Sequence, residues 1–411
     1  MVANSSKPFS FAFVISVIVM MLMYMVPQIK VIVPYDRLAL VSFIFVALFV
    51  LRTDSNHIIR VLLCALPYSF LMFIVARQGD FKYGFVHPLM TLWLLVFPAI
   101  LATEVVGRNN QKEMMVIVVS SLIVLVVSLF LGISVFGENQ DALRALAARQ
   151  DEDYVQDLTQ RGVGGFGATY STGGLLVACL LSLRFSLKKV TKILLVVLSL
   201  FLVYYILNAQ FATLIIITFL SAAYYFYSTA KSSRQKFLIF AIGCLFVIAM
   251  PSFMQLIVNF FGDTTVGDKF SQMDIALFEG GGGFSNVSGQ RSKFQLDALR
   301  LFLQSPIWGN SMSTGNNAVI EYSSHSTLLS VMACTGLIGL SSYYFTFSSS
   351  VRILLKKAYI NQDFYNPIIF YLILFSVFNP ITGSLEAMWC YFVIIPLLYK
   401  LFIAGNGMQQ S

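Results

Sequence analysis

Three side chains able to handle charge stand in the polar part of a chain that is otherwise mostly apolar. Arg291 and Arg300 lie in GQRSKFQLDALRLFLQSPIWGNSMSTGNN, residues 289–317, and His325 follows in EYSSHSTLLSVMACTGLIGL, four residues after Glu321. A guanidinium fork matches the oxygens of a phosphate with two parallel hydrogen bonds, and it keeps its charge at any accessible pH. Histidine changes charge near neutrality and is the usual group for taking a proton from an attacking hydroxyl; a carboxylate such as Glu321 can do the same. Together these types suit transfer of a group away from an anionic leaving group. The plainer alternatives are arginines that reach for lipid head groups and a histidine that caps a helix. One more arginine, Arg161, opens the glycine-rich run RGVGGFGATYSTGG, where small residues allow backbone to approach a ligand or a loop to move.

The element that must carry the first two arginines is legible. Ser288 can cap a helix, Phe294, Ala298, Leu301 and Phe302 form an apolar stripe at helical spacing, and Pro306 ends it. The spacing predicts an amphipathic helix lying at a membrane interface. Arg291 and Arg300 are nine residues apart, which at about 100° per residue sets them on opposite faces. Only one then faces a shared ligand easily. Arg291 is favoured because it falls in the first turn, where free N–H groups and the helix dipole also attract an anion.

Composition sets the class. Of 411 residues, 58% are hydrophobic and 11% charged, with a mean hydropathy of +0.79, the profile of a polytopic membrane protein. The five cysteines all sit in apolar runs and behave as small hydrophobes. Neither long polar loop offers a carboxylate pair at metal-binding spacing, so a metal-independent reaction without cofactor is expected.

Apolar runs of spanning length fall at about 9–29, 38–51, 58–76, 87–106, 114–136, 171–187, 193–208, 211–228, 237–261, 326–349, 366–383 and 387–404. The expectation is an all-α, single membrane domain over 1–411 with about twelve transmembrane helices. With both termini in the cytoplasm, the clusters RFSLKKVTK, KSSRQK and VRILLKK fall inside, as the positive-inside rule requires. The net charge of +8 is therefore a topology signal and implies no nucleic-acid partner. Two outer segments are too long for simple turns: 137–170, with an acidic stretch able to form a helix, and 262–324, with the amphipathic helix.

Arg161 with its glycines, a short hairpin between the seventh and eighth helices, and GQR…SPIWGNS…SSHSTLLSVMACTGLIGL together resemble the superfamily of bacterial O-antigen polymerases and O-antigen ligases. The resemblance implies a glycosyltransferase of the C type with two long periplasmic loops in the inner (cytoplasmic) membrane. It implies an undecaprenyl-pyrophosphate-linked oligosaccharide as substrate, membrane lipids around it, and a chain-length regulator protein as a possible partner. It also implies that arginines in the two loops hold the pyrophosphate, which carries onto Arg161 and Arg291, and a base histidine, which carries onto His325. Gln210 stands where the superfamily commonly has an arginine, and Ser326 follows the histidine where the ligase branch has asparagine. Both departures favour a repeat-unit polymerase over a ligase that delivers glycan to lipid A core. A flippase or other transporter is disfavoured, because Glu104 and Glu386 lie near helix ends and no helical repeat is evident.

Overall fold

The computed structural model describes residues 7–33, 87–136, 152–185, 187–209, 211–230, 232–262, 290–310, 326–379 and 384–405, with scattered positions between them. The architecture is helical, with no strand among the described residues. The helices are α1 (Phe11–Met25), α2 (Pro27–Ile32), α3 (His87–Gly107), α4 (Gln111–Phe136), α5 (Glu152–Gln160), α6 (Phe166–Ser182), α7 (Lys189–Asn208) and α8 (Ala212–Thr229). They continue as α9 (Ser233–Ile248), α10 (Met250–Phe261), α11 (Gln290–Gln304), α12 (Thr327–Ala358) and α13 (Gln362–Phe378). A last rod consists of α14 (Leu385–Trp389), a π-helical turn (Cys390–Ile394) and α15 (Ile395–Gly405). Among the described residues four segments are long and apolar enough to cross a membrane, namely α4, α7, α12 and Leu385–Phe402, and shorter apolar helices accompany them. The chain is a polytopic membrane protein.

The core is organised around α6. All but Phe166 and Leu180 of its residues are buried, and it packs against α7, α8, α13 and α14. Such closeness needs small residues, since in lipid helices associate by packing and by hydrogen bonds more than by hydrophobic exclusion. A Cβ on Gly167 would strike the Glu386 carboxylate, one on Gly173 would lie 2.5 Å from the Tyr371 hydroxyl, and one on Gly174 would strike the Tyr391 ring. The carbonyl of Tyr170 accepts from both phenols, Tyr371 at 2.9 Å and Tyr391 at 2.6 Å. The Tyr170 ring stacks on Phe375 with 4.5 Å between centroids. From Phe166 on, the glycine-rich run is thus the contact face of a buried helix. The sixth helix begins at Phe166, earlier than the apolar run from 171 suggested, because these glycines continue it.

Other boundaries also move. The expected ninth helix, 237–261, is two helices parted at Ala249, with Pro251 in the first turn of the second. The tenth runs to Ala358, so VRILLKK closes α12, where Lys356 and Lys357 face the negative end of its dipole. The expected spans 38–51 and 58–76 lie almost wholly outside the described residues.

Two faces result. On the terminal face, the segment before α1 is strapped to the α3–α4 turn. Glu113, fully buried, takes two hydrogen bonds from Arg108 at 2.7 and 2.8 Å and one from the Ser10 N–H at 2.7 Å. Arg108 also donates to the Pro8 carbonyl at 3.1 Å and lies 4.4 Å over the Phe13 ring. A buried carboxylate persists only with such partners, and the Glu113 carboxylate in turn holds the Arg108 guanidinium above its ordinary pKa. Arg184, Arg352, Lys356 and Lys357 belong to this face by their places at helix ends. The opposite, loop-bearing face holds α5, the start of α6, α11 and the start of α12.

Gly174→Ala should lower the yield of monodisperse protein in detergent sharply, because overpacking of a close helix contact costs about 1–3 kcal/mol. Gly165→Ala, whose Cβ would meet Leu146 at an ordinary 3.6 Å, should behave as the parent. Size-exclusion profiles of the two variants check the comparison.

Candidate functional site

On the loop-bearing face the best-defined construction joins α11 to α12. Ala298 and Leu301 of α11 pack with Leu329, Ala333 and Cys334 of α12 in one apolar cluster. Leu296, Leu299 and Leu303 are exposed on the other side, so α11 is apolar toward the bundle and toward its surroundings alike. After Gln304 the chain turns and meets α12 main chain to main chain. Gly336 has φ 62° and ψ −161°, which breaks α12. The amides beyond the break find acceptors in the turn: Leu337 N–H donates to the Pro306 carbonyl at 2.8 Å and Ile338 N–H to the Ile307 carbonyl at 3.3 Å. Gly309, at φ 80°, sits so close that a Cβ would strike the Cys334 backbone, and one on Gly336 would strike the Ile307 carbonyl. Asn310 then donates back to Gln304 at 2.9 Å. The SPIWG and CTG runs are therefore the two halves of one backbone junction.

The start of α12 is fixed as well. Ser326 caps it by accepting from Leu329 N–H and donates to the Ser376 carbonyl at 3.2 Å. Thr327 N–H reaches the Asn379 carbonyl at 3.4 Å, and the Thr327 hydroxyl accepts from Ile381 N–H at 2.8 Å. The turn continues through Ser384, whose N–H donates to the Ile381 carbonyl, to Glu386 in the first turn of α14. Glu386 is 3% exposed and lies against Gly167. Its place at a helix N-terminus favours a carboxylate. Asn379 is 1% exposed and its amide nitrogen has no partner among the described residues.

Arg161 closes the first long segment. Its guanidinium donates to both oxygens of Glu138 at 2.9 and 2.8 Å, with Asp157 at 3.6 Å. The Glu138 hydrogen bonds raise the arginine pKa above its ordinary value, and the Arg161 hydrogen bonds hold the Glu138 carboxyl below the usual carboxylate range. An incoming phosphate must therefore share or displace Glu138. Arg300 is paired with Asp297 at 3.2 Å and is 74% exposed, on the same side of α11 as Leu296 and Leu303.

The structure accordingly joins Thr327, Asn379 and Ile381 in one hydrogen-bonded turn at the capped start of α12, with Glu386 following in the first turn of α14, while Arg300 points away from the bundle and Arg161 sits at the end of α4. His325, Glu321 and Gln210 lie outside the described residues, as does the side chain of Arg291, whose backbone is in the first turn of α11. Ser288 lies outside them too. No protein-family model and no curated protein matches the chain.

Sequence reasoning used Glu386 only as an acid near a helix end and passed over Asn379, Gly336 and the backbone contact of Gly309. The available signal was a single acid in the first turn of an otherwise apolar helix, an expensive placement that marks a built environment. The glycines carried no such mark, since their role depends on a partner backbone that lies far along the chain.

Because Glu138 has a depressed pKa in the folded protein, its pairing stabilises the loop above the ordinary carboxylate range and is lost as pH falls through the lowered value. Protease protection of residues 138–161 should be level from about pH 7 to about pH 5 and fall below about pH 4, and Arg161→Gln should flatten that profile. A parent profile without acid dependence would show that the pair does not hold the loop.

Proposed function

We propose that this protein is a polysaccharide repeat-unit polymerase: it transfers a growing O-antigen or capsule glycan from undecaprenyl pyrophosphate to the next lipid-linked repeat unit at the periplasmic face. The observation that carries the reading is the docking of α11, an amphipathic helix with Arg291 in its first turn, onto α12 beside the helix start that follows His325. A helix with lipid-facing leucines and a basic first turn fits a substrate with a membrane-anchored tail and an anionic head.

The reaction follows from that placement. The sugar–phosphate bond breaks and the pyrophosphate gathers negative charge, which a fixed guanidinium fork stabilises without a metal. Arg291 takes that role, with Arg161 as a second contact once Glu138 yields. The acceptor hydroxyl loses its proton to His325 or Glu321 as it attacks the anomeric carbon. About twelve helices in a C-type glycosyltransferase arrangement, set in a bacterial inner membrane with cytoplasmic termini, complete the reading. It is supported by the basic residues of the terminal face and the acidic residues of α5 on the other.

Arg291→Lys keeps the charge and loses the fork, so the transfer rate should fall about 30- to 1,000-fold, the equivalent of about 2–4 kcal/mol. Arg300→Lys, on the exposed side of α11, should be much milder. Both rates are measured on purified protein with lipid-linked repeats, after equal insertion is shown; the reverse ranking moves the assignment to Arg300. Excess chelator should leave the parent rate unchanged. In cells, loss of the gene should leave a single repeat on the lipid A core. Long chains that stay on the carrier would instead identify a ligase.

A further inference from the structure

Gly336 divides α12 into unequal pieces. The 22 residues from Leu337 to Ala358 rise about 33 Å, enough by themselves to cross the hydrocarbon. The nine residues from Thr327 to Thr335 are therefore surplus to the span and lie at the loop-bearing end. Their apolar side belongs to α11 through Ala298 and Leu301, and their N-terminus belongs to α13 through Ser376 and Asn379. The break itself is held from outside the helix. A helix that is interrupted leaves amides without acceptors, and in a membrane protein these must be satisfied locally. Here the Pro306 and Ile307 carbonyls do it, and the conformation of Gly336 is one that side-chain-bearing residues scarcely adopt.

We infer that Gly309 and Gly336 are positioning residues: their backbone junction makes α11 and the first nine residues of α12 one rigid platform, which sets where the arginine-bearing helix stands relative to the start of α12. The inference rests on the reading of α11 as the helix that holds the substrate. It differs from a mobile lid, in which α11 would swing off α12 to admit and release the lipid. Placement at this level matters to rate, since misplacement of a binding group by about 1 Å costs as much as about 100-fold. A side chain at Gly336 or Gly309 cannot be absorbed by a rotamer change, because the atoms it would meet are backbone.

Ala298→Cys combined with Ala333→Cys provides the test. The two positions share the buried cluster between the helices. Peptide mapping shows whether the thiol introduced on α11 has joined the one introduced on α12 or the native Cys334, either of which ties α11 to α12. Oxidised protein should transfer glycan within about twofold of the same sample after reduction. Adding Gly336→Ala should slow cross-linking by about tenfold and depress transfer by a factor of the order of ten to 100, and forcing the cross-link should restore most of it. A cross-linked protein that is inactive until reduced overturns the inference, because α11 must then leave α12 in each cycle. Failure of the cross-link to rescue Gly336→Ala, in protein that remains monodisperse, overturns it also, since the glycine would then serve folding only. If the reduced parent transfers no glycan, the functional reading fails separately, while the effect of Gly336→Ala on cross-linking rate still decides whether the junction holds the platform together.

Discussion

The carbonyl of Tyr170 accepting two phenolic hydroxyls is the interaction on which the bundle depends. Within hydrocarbon, a hydroxyl that lacks a partner costs several kcal/mol, so each phenol is obliged to find one. Placing both on one carbonyl fixes α13 and the π-helical turn of the last rod against the same point of α6. That convergence is possible only because Gly173 and Gly174 leave room for the tyrosines. Tyr365 extends the arrangement by donating to the Tyr391 carbonyl at 2.5 Å, and Trp389 donates to Ser121 of α4 at 3.0 Å. Polar side chains thus specify which helix lies against which, in a medium where apolar surface alone does not discriminate.

Around that centre the two ends are built differently. The terminal face is closed by charge: Glu113 gathers Arg108 and the Ser10 amide, so the first helix enters the bundle at a fixed height. The loop-bearing face is closed by backbone, through the α11–α12 junction and the Thr327–Asn379–Ile381 turn. Backbone closure leaves side chains there available for a ligand. It also explains how residues as far apart as Gly167, Thr327 and Glu386 come to share one end of the molecule, although their helices are distant in sequence.

Much of this was legible in the residues. Apolar runs located α3, α4, α7, α8 and α13 to within a few positions, since a span has little freedom in length. The stripe of Ala298 and Leu301 and the stop at Pro306 gave α11 its extent and its inward face. What failed did so for physical reasons. Gly167 read as part of a loop under the rules of water, where glycine weakens helices, whereas buried membrane helices use it to approach. Charges in VRILLKK read as the end of a helix, yet a helix can run on past the hydrocarbon when its last turn is basic. The pairing of Arg161 with Glu138 spans 23 residues and depends on how α4 ends, which no local pattern records. The same holds for the meeting of Gly309 with Gly336, where each glycine is shaped by the other's backbone.

The π-helical turn at Cys390–Ile394 has a bearing on how this chain tolerates change in length. A π turn amounts to one residue more than the surrounding α-helix would hold, so the last rod stores a single extra position between its two ends. Trp389 and Glu386 are set on one side of it, and Tyr399, whose hydroxyl accepts from Asn361 N–H at 3.0 Å, on the other. Loss of one residue here would let the turn relax to regular helix with Tyr399 and Trp389 kept near their present angular relation, since the wide turn takes up the extra residue by itself. The rod therefore acts as a slack coupling between its two ends, in which one position can be lost while the contacts at both ends stay in phase. The same deletion in the regular helix on either side would turn one end against the other by about 100°.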